Sequence, residues 1–307
     1  MTVRILVVDD SPVDRRVVEF FVKKGIEGAH VFSVSNGQMA IEAIHSNAPD
    51  LIITDLQMPQ MDGLELVENL ISQGQTIPVI LMTGYGSEQI AVQALRAGAA
   101  SYVPKRRIDQ TLVETIENVL SHATWQRSPQ REVHSLDEVE LKFCLENDPS
   151  QIPPLIAYLQ DQLLSVRFQD HYQITRIGIA IQESLKNAMY CGNFELDRDQ
   201  LGNDKSIIDS LMEERRRNER FAARRVRLSA WLSETEVRLV VSDEGSGYDS
   251  AELSRSTDEI NLDQLGGRGL LLIRCFMNEV SLNPAGNEIT MVNRMLKRNS
   301  DFRSLRG

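Results

Sequence analysis

Through residues 1 to 122 the chain alternates two rhythms of apolar and polar positions. Short runs rich in β-branched residues, VRILVV (3–8), HVFSV (30–34), LIIT (51–54), PVILM (78–82) and SYV (101–103), read as strands. Between them lie longer stretches whose apolar residues recur every three or four positions, the period of a helix. The first helix opens on Ser11-Pro12, a capping residue followed by a proline whose missing N–H costs nothing there. It sets Val13, Val17 and Phe21 or Phe20 on one face. Further helices are predicted to start near Asn36, Gly63, Ser87 and Asp109, and the glycine of RAGAA (96–100) stops the fourth. Repeated strand-then-helix rounds predict an α/β unit with a five-stranded, parallel, doubly wound sheet.

The rhythm breaks at SHATWQRSPQREVHS (121–135), which is polar, interrupted by Pro129 and without period, and so reads as a linker. The helix before it, carrying Leu112, Ile116, Val119 and Leu120, is placed to extend into that segment as a lever. Beyond it the order of elements changes. VELKFCLE (139–146) reads as a strand, PPLIAYLQDQLLSV (153–166) as a helix and QITRIGIAIQESLKNAMYCGN (173–193) as a longer helix ending at Gly192. VRLSAWLS (226–233) and EVRLVVSD (236–243) alternate as an antiparallel hairpin, GGRGLLLIRCFMNEV (266–280) opens a helix on glycines, and a closing hairpin turns over Pro284 to Asn287. Helices before, between and after antiparallel strands predict an α+β sandwich. The expected organisation is a first domain at 1–122, a linker at 123–135, a second domain at 136–298 and a tail at 299–307.

Composition narrows the functional classes. With 307 residues, 42% of them hydrophobic, the chain can bury two cores. No apolar run is long enough to span a membrane, and Met1 leads at once into a strand, so a cytoplasmic location and no membrane partner are expected. A net charge of −11 argues against general nucleic-acid binding. Cys144, Cys191 and Cys275 lie far apart with no C-x-x-C pair, which suggests neither disulfides nor zinc and places them in or near cores.

In an open α/β sheet, ligand chemistry collects beyond the carboxyl ends of the strands. Here those ends carry Asp9 and Asp10, Asp55, Thr83 and Lys105. Clustered carboxylates repel one another and need a cation, and all-oxygen ligation suits Mg²⁺. The segments VVDD, TDLQMPQMDG, MTGYGS and YVPK resemble the signature segments of response-regulator receiver domains, which have the flavodoxin-like doubly wound fold. The resemblance implies that Asp55 is the phosphoacceptor, served by an upstream histidine kinase or phosphotransfer protein. It further implies that Asp9, Asp10 and Asp55 hold Mg²⁺, that Lys105 pairs with the transferred phosphate, and that Thr83 and Tyr102 form the switch. One departure stands out: the family has proline after the lysine, whereas here Pro104 precedes Lys105 and Arg106 follows it.

Three pieces of the second half carry chemistry. Glu183 and Asn187 stand one helical turn apart, which alone is also the pattern of an exposed polar face. SDEGSGYD ends a strand on Asp243 with Gly245 and Gly247 behind it, and LGGRGLLLI leads Gly266, Gly267 and Gly269 into a helix start suited to phosphate. In this order they resemble the Bergerat-type ATP-binding fold shared by gyrase, histidine kinases and anti-sigma-factor serine kinases, over roughly 136 to 298 and most closely the last branch. The resemblance implies ATP and Mg²⁺ as cofactors, with Asn187 on the metal and Asp243 on the adenine amino group. Gly245, Gly247, Gly267 and Gly269 would shape the pocket, residues 249–265 would form a lid, and Glu183 would be the general base. The stretch DSLMEERRRNERFAARRVR (209–227) is longer than compact members need and reads as a solvated, ion-paired helix, or else a docking patch.

Three functions follow as expectations. The first is a response regulator whose output is an anti-sigma-type serine/threonine kinase, acting on an anti-sigma-factor antagonist in partner switching and possible as a homodimer. The second is a nucleotide-gated module that sequesters a sigma factor or another regulator. The third is a hybrid histidine kinase, disfavoured because none of His122, His134 or His171 sits in a convincing phosphoacceptor helix.

Overall fold

The computed structural model describes residues 3–84, 88–123, 136–168, 170–196, 205–247 and 265–295. The linker from 124, the proposed lid and the tail lie outside the described residues.

The N-terminal half is the expected α/β unit. Strands β1 (Arg4–Val8), β2 (His30–Val34), β3 (Leu51–Asp55), β4 (Val79–Thr83) and β5 (Ser101–Pro104) form an all-parallel sheet in the order β2-β1-β3-β4-β5. Helices α1 (Pro12–Gly25), α2 (Gly37–Asn47), α3 (Gly63–Ser72), α4 (Glu88–Ala97) and α5 (Ile108–Ala123) connect the strands and cover both faces. Every residue of β3 and β4 is buried, which is why those runs are continuously apolar until their last residues. The local signals act as read: Ser11 and Asn36 cap their helices, and Asp62 with Glu65 forms a reciprocal capping box at the start of α3.

The predicted apolar face of α1 is largely exposed, although Phe21 packs against the core. Val18 and Val22 are the buried residues of α1, whereas Val13 is 68% and Phe20 59% exposed, with Val17 also exposed. Two apolar stripes run along this helix, and the core takes the one whose glycine, Gly25, fits against Val113 of α5.

The C-terminal half is the expected α+β layer pair. Strands β6 (Glu138–Leu145), β7 (Val226–Ser233), β8 (Glu236–Ser242), β9 (Glu279–Leu282) and β10 (Glu288–Arg294) form an antiparallel sheet in the order β6-β7-β8-β10-β9. Helices α6 (Ile152–Ser165), α7 (His171–Asn187) and α10 (Leu265–Phe276) bury residues such as Ile156, Ile177, Ile181 and Ile273 against its inner face. The long helix does not run to Gly192 as an α-helix: α7 stops at Asn187 and Ala188–Asn193 winds as a π-helix. Cys144 is exposed because it falls on an outward position of the edge strand β6, and Cys191 and Cys275 are half-buried.

The arginine-rich stretch is two helices, α8 (Lys205–Arg216) and α9 (Glu219–Ala222). It is more than a solvated face, since Met212 and Phe221 bury with Phe194 and Leu196 in a small core of their own. The two domains share one packed seam. Ile179 of α7 with Leu272 and Phe276 of α10 belongs to the same buried cluster as the core of the parallel sheet. At its centre His122 of α5 is buried and hydrogen-bonded at 2.9 Å to Gln182 of α7.

Candidate functional site

Because β1 lies between β2 and β3, the chain leaves β1 and β3 in opposite directions and their carboxyl ends flank a crevice. Asp9 and Asp10 follow β1 and Asp55 closes β3, and each offers a carboxylate oxygen within 4.8 Å of the others. Asp9 and Asp55 are buried while Asp10 is exposed, so the cluster opens to solvent on one side. Lys105 crosses from the end of β5, with Nζ 2.8 Å from Asp9 Oδ2 and 2.9 Å from Asp55 Oδ2. The proline inversion therefore does not withdraw the lysine: Pro104 ends β5, Lys105–Arg107 makes one 3-10 turn, and the ammonium still reaches the crevice.

Backbone amides orient the acids. Ser11 N–H donates to Asp9 Oδ1 and Leu56 N–H to Asp55 Oδ1, both at 2.8 Å. The loop after Asp55 doubles back so tightly that a Cβ on Gly63 would stand 2.3 Å from the Asp55 carbonyl oxygen, which explains the Asp-Gly closing the segment. Burial raises the Asp55 pKa above the ordinary carboxylate value, opposed by its bond to Lys105. Burial alone would lower the Lys105 pKa, but hydrogen bonds to Asp9, Asp55 and Asp14 outweigh it and hold the ammonium charged. Thr83 closes β4 one residue past Met82, the register partner of Asp55, and Tyr102 is fully buried on β5. The sequence reading missed Asp14, whose Oδ2 lies 3.0 Å from Lys105 Nζ. The signal for it was its place in the first turn of a helix capped by Ser11, at the mouth of the crevice.

The second site lies between α7, the end of β8 and the hairpin before β10. It is a cleft lined by Asn187, Cys191, Asp243, Gly247, Leu270 and Ile289, among others. Here close approach of backbone does the shaping. A Cβ on Gly192 would stand 2.4 Å from Asp243 Cγ, and one on Gly245 would stand 2.2 Å from the Gly192 carbonyl oxygen. Gly247 has φ +82 and its Cβ position is 1.8 Å from the Ala285 carbonyl, so only glycine fits there. Burial pushes the Asp243 pKa up to about 6, against the lowering influence of the Gly245 N–H and the Arg224 charge. Glu183, one turn before Asn187 on α7, packs against the opening of α10: a Cβ on Gly269 would stand 2.6 Å from its Oε2. Gly267 lies in the first turn of α10. The structure thus gathers Asn187, Asp243 and Gly247 on one cleft, and sets Glu183 against the glycine start of α10.

Residues that no motif announced hold this arrangement. Asn193, fully buried at the end of the π-helix, donates to Asn147 Oδ1 at 2.7 Å and accepts the Glu244 N–H at 2.8 Å. Arg224 donates to the Asn193 carbonyl and to Glu195 Oε1, both at 2.7 Å. The end of the arginine-rich stretch therefore braces the Asp243 loop. Lys186, between Glu183 and Asn187, has its Nζ 3.4 Å from Glu114 Oε1 of α5, and the charges of Glu183 and Glu114 raise its pKa despite burial.

With this geometry in view, comparison with known proteins is informative by segment. Residues 5–117 match the response regulator receiver domain and residues 211–293 match the histidine kinase-like ATPase domain. The second match contains Asp243 and the glycines but starts after Glu183 and Asn187. Over 136 residues the chain is 35% identical to the DNA-binding transcriptional regulator NtrC of Proteus hauseri, covering 44% of this chain and 28% of that protein. Over 153 residues it is 30% identical to the transcriptional regulatory protein SrrA of Staphylococcus aureus, covering 50% of this chain and 62% of that protein. A solved response regulator receiver domain protein from Clostridium thermocellum covers 40% of this chain and 98% of its own, with 26% identity and a TM-score of 0.38. The chain therefore combines a response-regulator receiver domain with a histidine kinase-like ATPase domain. Receiver domains take phosphoryl groups from upstream histidine kinases, and no described helix is long and apolar enough to cross a membrane.

Proposed function

We propose that this response regulator is phosphorylated on Asp55 and controls an ATP-dependent serine/threonine protein kinase of the anti-sigma type, acting on a small regulatory protein such as an anti-sigma-factor antagonist. In the receiver, a carboxylate oxygen of Asp55 attacks the phosphorus of a phosphohistidine, the N–P bond breaks, and the imidazole leaves. Lys105 stands where it can neutralise the phosphoryl oxygens. Three carboxylates with oxygens within 4.8 Å suit Mg²⁺, which Asp9, Asp10 and Asp55 would hold and which would neutralise charge on the phosphoryl group.

In the ATPase domain, Asp243 would accept from the adenine amino group and Asn187 would share in metal and phosphate binding, a reading supported by both lining the cleft. The hydroxyl of the substrate attacks the γ-phosphorus, the bond to the β–γ bridging oxygen breaks to leave ADP, and the hydroxyl proton passes to Glu183. One observation carries this reading: the Glu183 carboxylate lies against Gly269 at the start of α10, one turn along α7 from the cleft-lining Asn187. The proposed unit boundaries, 1–122 and 136–298 around a linker at 123–135, are part of the same reading.

A second reading, a nucleotide-gated module that sequesters a sigma factor or similar regulator, is favoured by the family match beginning only at residue 211, after the candidate base. A hybrid histidine kinase is disfavoured further, because His122 is buried against Gln182. Radiolabelled ATP with Mg²⁺ and antagonist-like proteins separates the two leading readings. Label on serine or threonine that disappears in Glu183→Ala and changes when Asp55 is loaded by an acyl phosphate supports the kinase. Nucleotide binding without transfer to any such protein refutes it in favour of the binding module.

A further inference from the structure

Arg176 is a buried cation whose hydrogen bonds go to backbone carbonyls. It lies on α7 at 5% exposure, and of the described carboxylates only Asp170, at the helix start, acts on its charge, without a hydrogen bond to it. A buried guanidinium is costly unless its donors are used; here Nε has no hydrogen-bond partner, so what Nη2 contacts is informative. Its Nη2 donates at 2.8 Å to the carbonyl of Leu95, in the last turn of α4, and at 2.8 Å to the carbonyl of Cys275, in the last turn of α10. Its plane lies 4.6 Å over the ring of Phe276. One side chain thus caps the negative ends of two helices that belong to different domains.

The opposite, N-terminal ends of those helices lie toward the two sites. α4 follows the β4 end at Thr83, beside Asp55, and α10 begins at Leu265 and brings Gly269 against Glu183. The contact is close as well as polar. A Cβ on Gly98, just past α4, would stand 3.0 Å from the Tyr172 ring and hydroxyl on the first turn of α7. The Tyr172 hydroxyl is itself buried without a hydrogen-bond partner, so the seam closes over it on packing alone.

We infer that Arg176 is the positioning residue that ties the nucleotide site to the receiver, holding the end of α10 to the end of α4 so that a shift of one helix moves the other. This rests on reading the C-terminal cleft as a nucleotide site. A displacement of Thr83 toward a phosphorylated Asp55 would be carried along α4 as a rigid rod, and α10 would follow by the same clamp. Releasing either carbonyl leaves buried donors unsatisfied, so the arrangement favours two discrete states over gradual sliding.

The test compares ATP affinity of the full chain with and without acyl-phosphate loading of Asp55, in wild type and in Arg176→Met, which removes the buried charge while keeping an apolar stem. In wild type, loading should change the dissociation constant about fivefold or more, a usual size for coupling between sites. In Arg176→Met that ratio should fall to about one, while Asp55 still accepts phosphate and ATP still binds. A loaded, nucleotide-binding variant with the wild-type ratio overturns the inference, as does a wild type with no ratio to lose. Because the variant could fail to fold, hydrogen exchange on wild type gives a second reading. ATP should alter protection of the amides at residues 97–99, at the end of α4, and unchanged exchange there also overturns the clamp. Failure of wild type to bind any nucleotide would instead refute the cleft assignment on which the inference rests.

Discussion

In the receiver crevice one ammonium sits within 3.0 Å of three carboxylates, whereas in the C-terminal cleft the half-buried carboxylate of Asp243 is framed by glycines. The first site is organised by charge: remove the side chains and nothing recognisable is left. The second is organised by missing side chains, because Asp243 occupies its place only where Gly192 and Gly245 let backbone approach it. Charge sites show themselves as residue types at strand ends. Steric sites show themselves as glycines, which are ambiguous until their neighbours are known.

The contrast can be broken most forcefully at Lys105. Lys105→Ala should slow labelling of Asp55 by an acyl phosphate on the order of a hundredfold to a thousandfold, as for loss of one preorganised donor to a developing charge. ATP affinity measured without the phosphodonor should stay unchanged.

The seam between the sites should respond next, through pH. Burial lowers the His122 pKa from 6.5 to about 4, against the bond to Gln182. Below 6.5 the unfolded chain takes up a proton that the folded chain refuses, so stability falls as pH drops from about 6.5 toward 4. The loss amounts to roughly 3 kcal/mol by the bottom of that window. Urea midpoints across it should show the slope, and His122→Gln should flatten it; parallel slopes would remove the histidine from the account.

The smallest effect is expected where the cleft is purely steric. Gly192→Ala should press a methyl group into the Asp243 carboxylate, costing about 1–3 kcal/mol as overpacking does. Falling on the cleft alone, that cost would lower ATP affinity about fivefold to about a hundredfold. Labelling of Asp55 should not change, and a variant that binds ATP as wild type does would show that the glycine is not needed for the shape of the cleft.

Much of this was legible along the chain, for different reasons in the two halves. The parallel sheet announced itself because β3 and β4 are buried on both faces and stay apolar up to Asp55 and Thr83. The acid cluster and its lysine were readable because topology alone brings strand ends together. The side of α1 was not, since Val13, Val17 and Phe20 keep the same helical spacing as a core stripe, and only the fit of Gly25 to Val113 distinguishes the faces. The arginine-rich stretch looked solvated because its charges outnumber its apolar residues. Its structural contribution comes from Met212, Phe221 and Arg224, which find partners far away in sequence.

By itself, then, the sequence determined the two fold types, the strand-end chemistry of the receiver and the glycine-marked segments of the ATPase domain, because these depend on local periodicity and on residues within a few positions of one another. Only the tertiary structure decided that Asp14 shares Lys105, that Asn193 and Arg224 brace the Asp243 loop, and that Arg176 and His122 face across the seam. Those contacts join residues tens of positions apart through buried polar groups. A buried polar group finds its partner only when helices from separate parts of the chain have packed and excluded the water that would otherwise satisfy it.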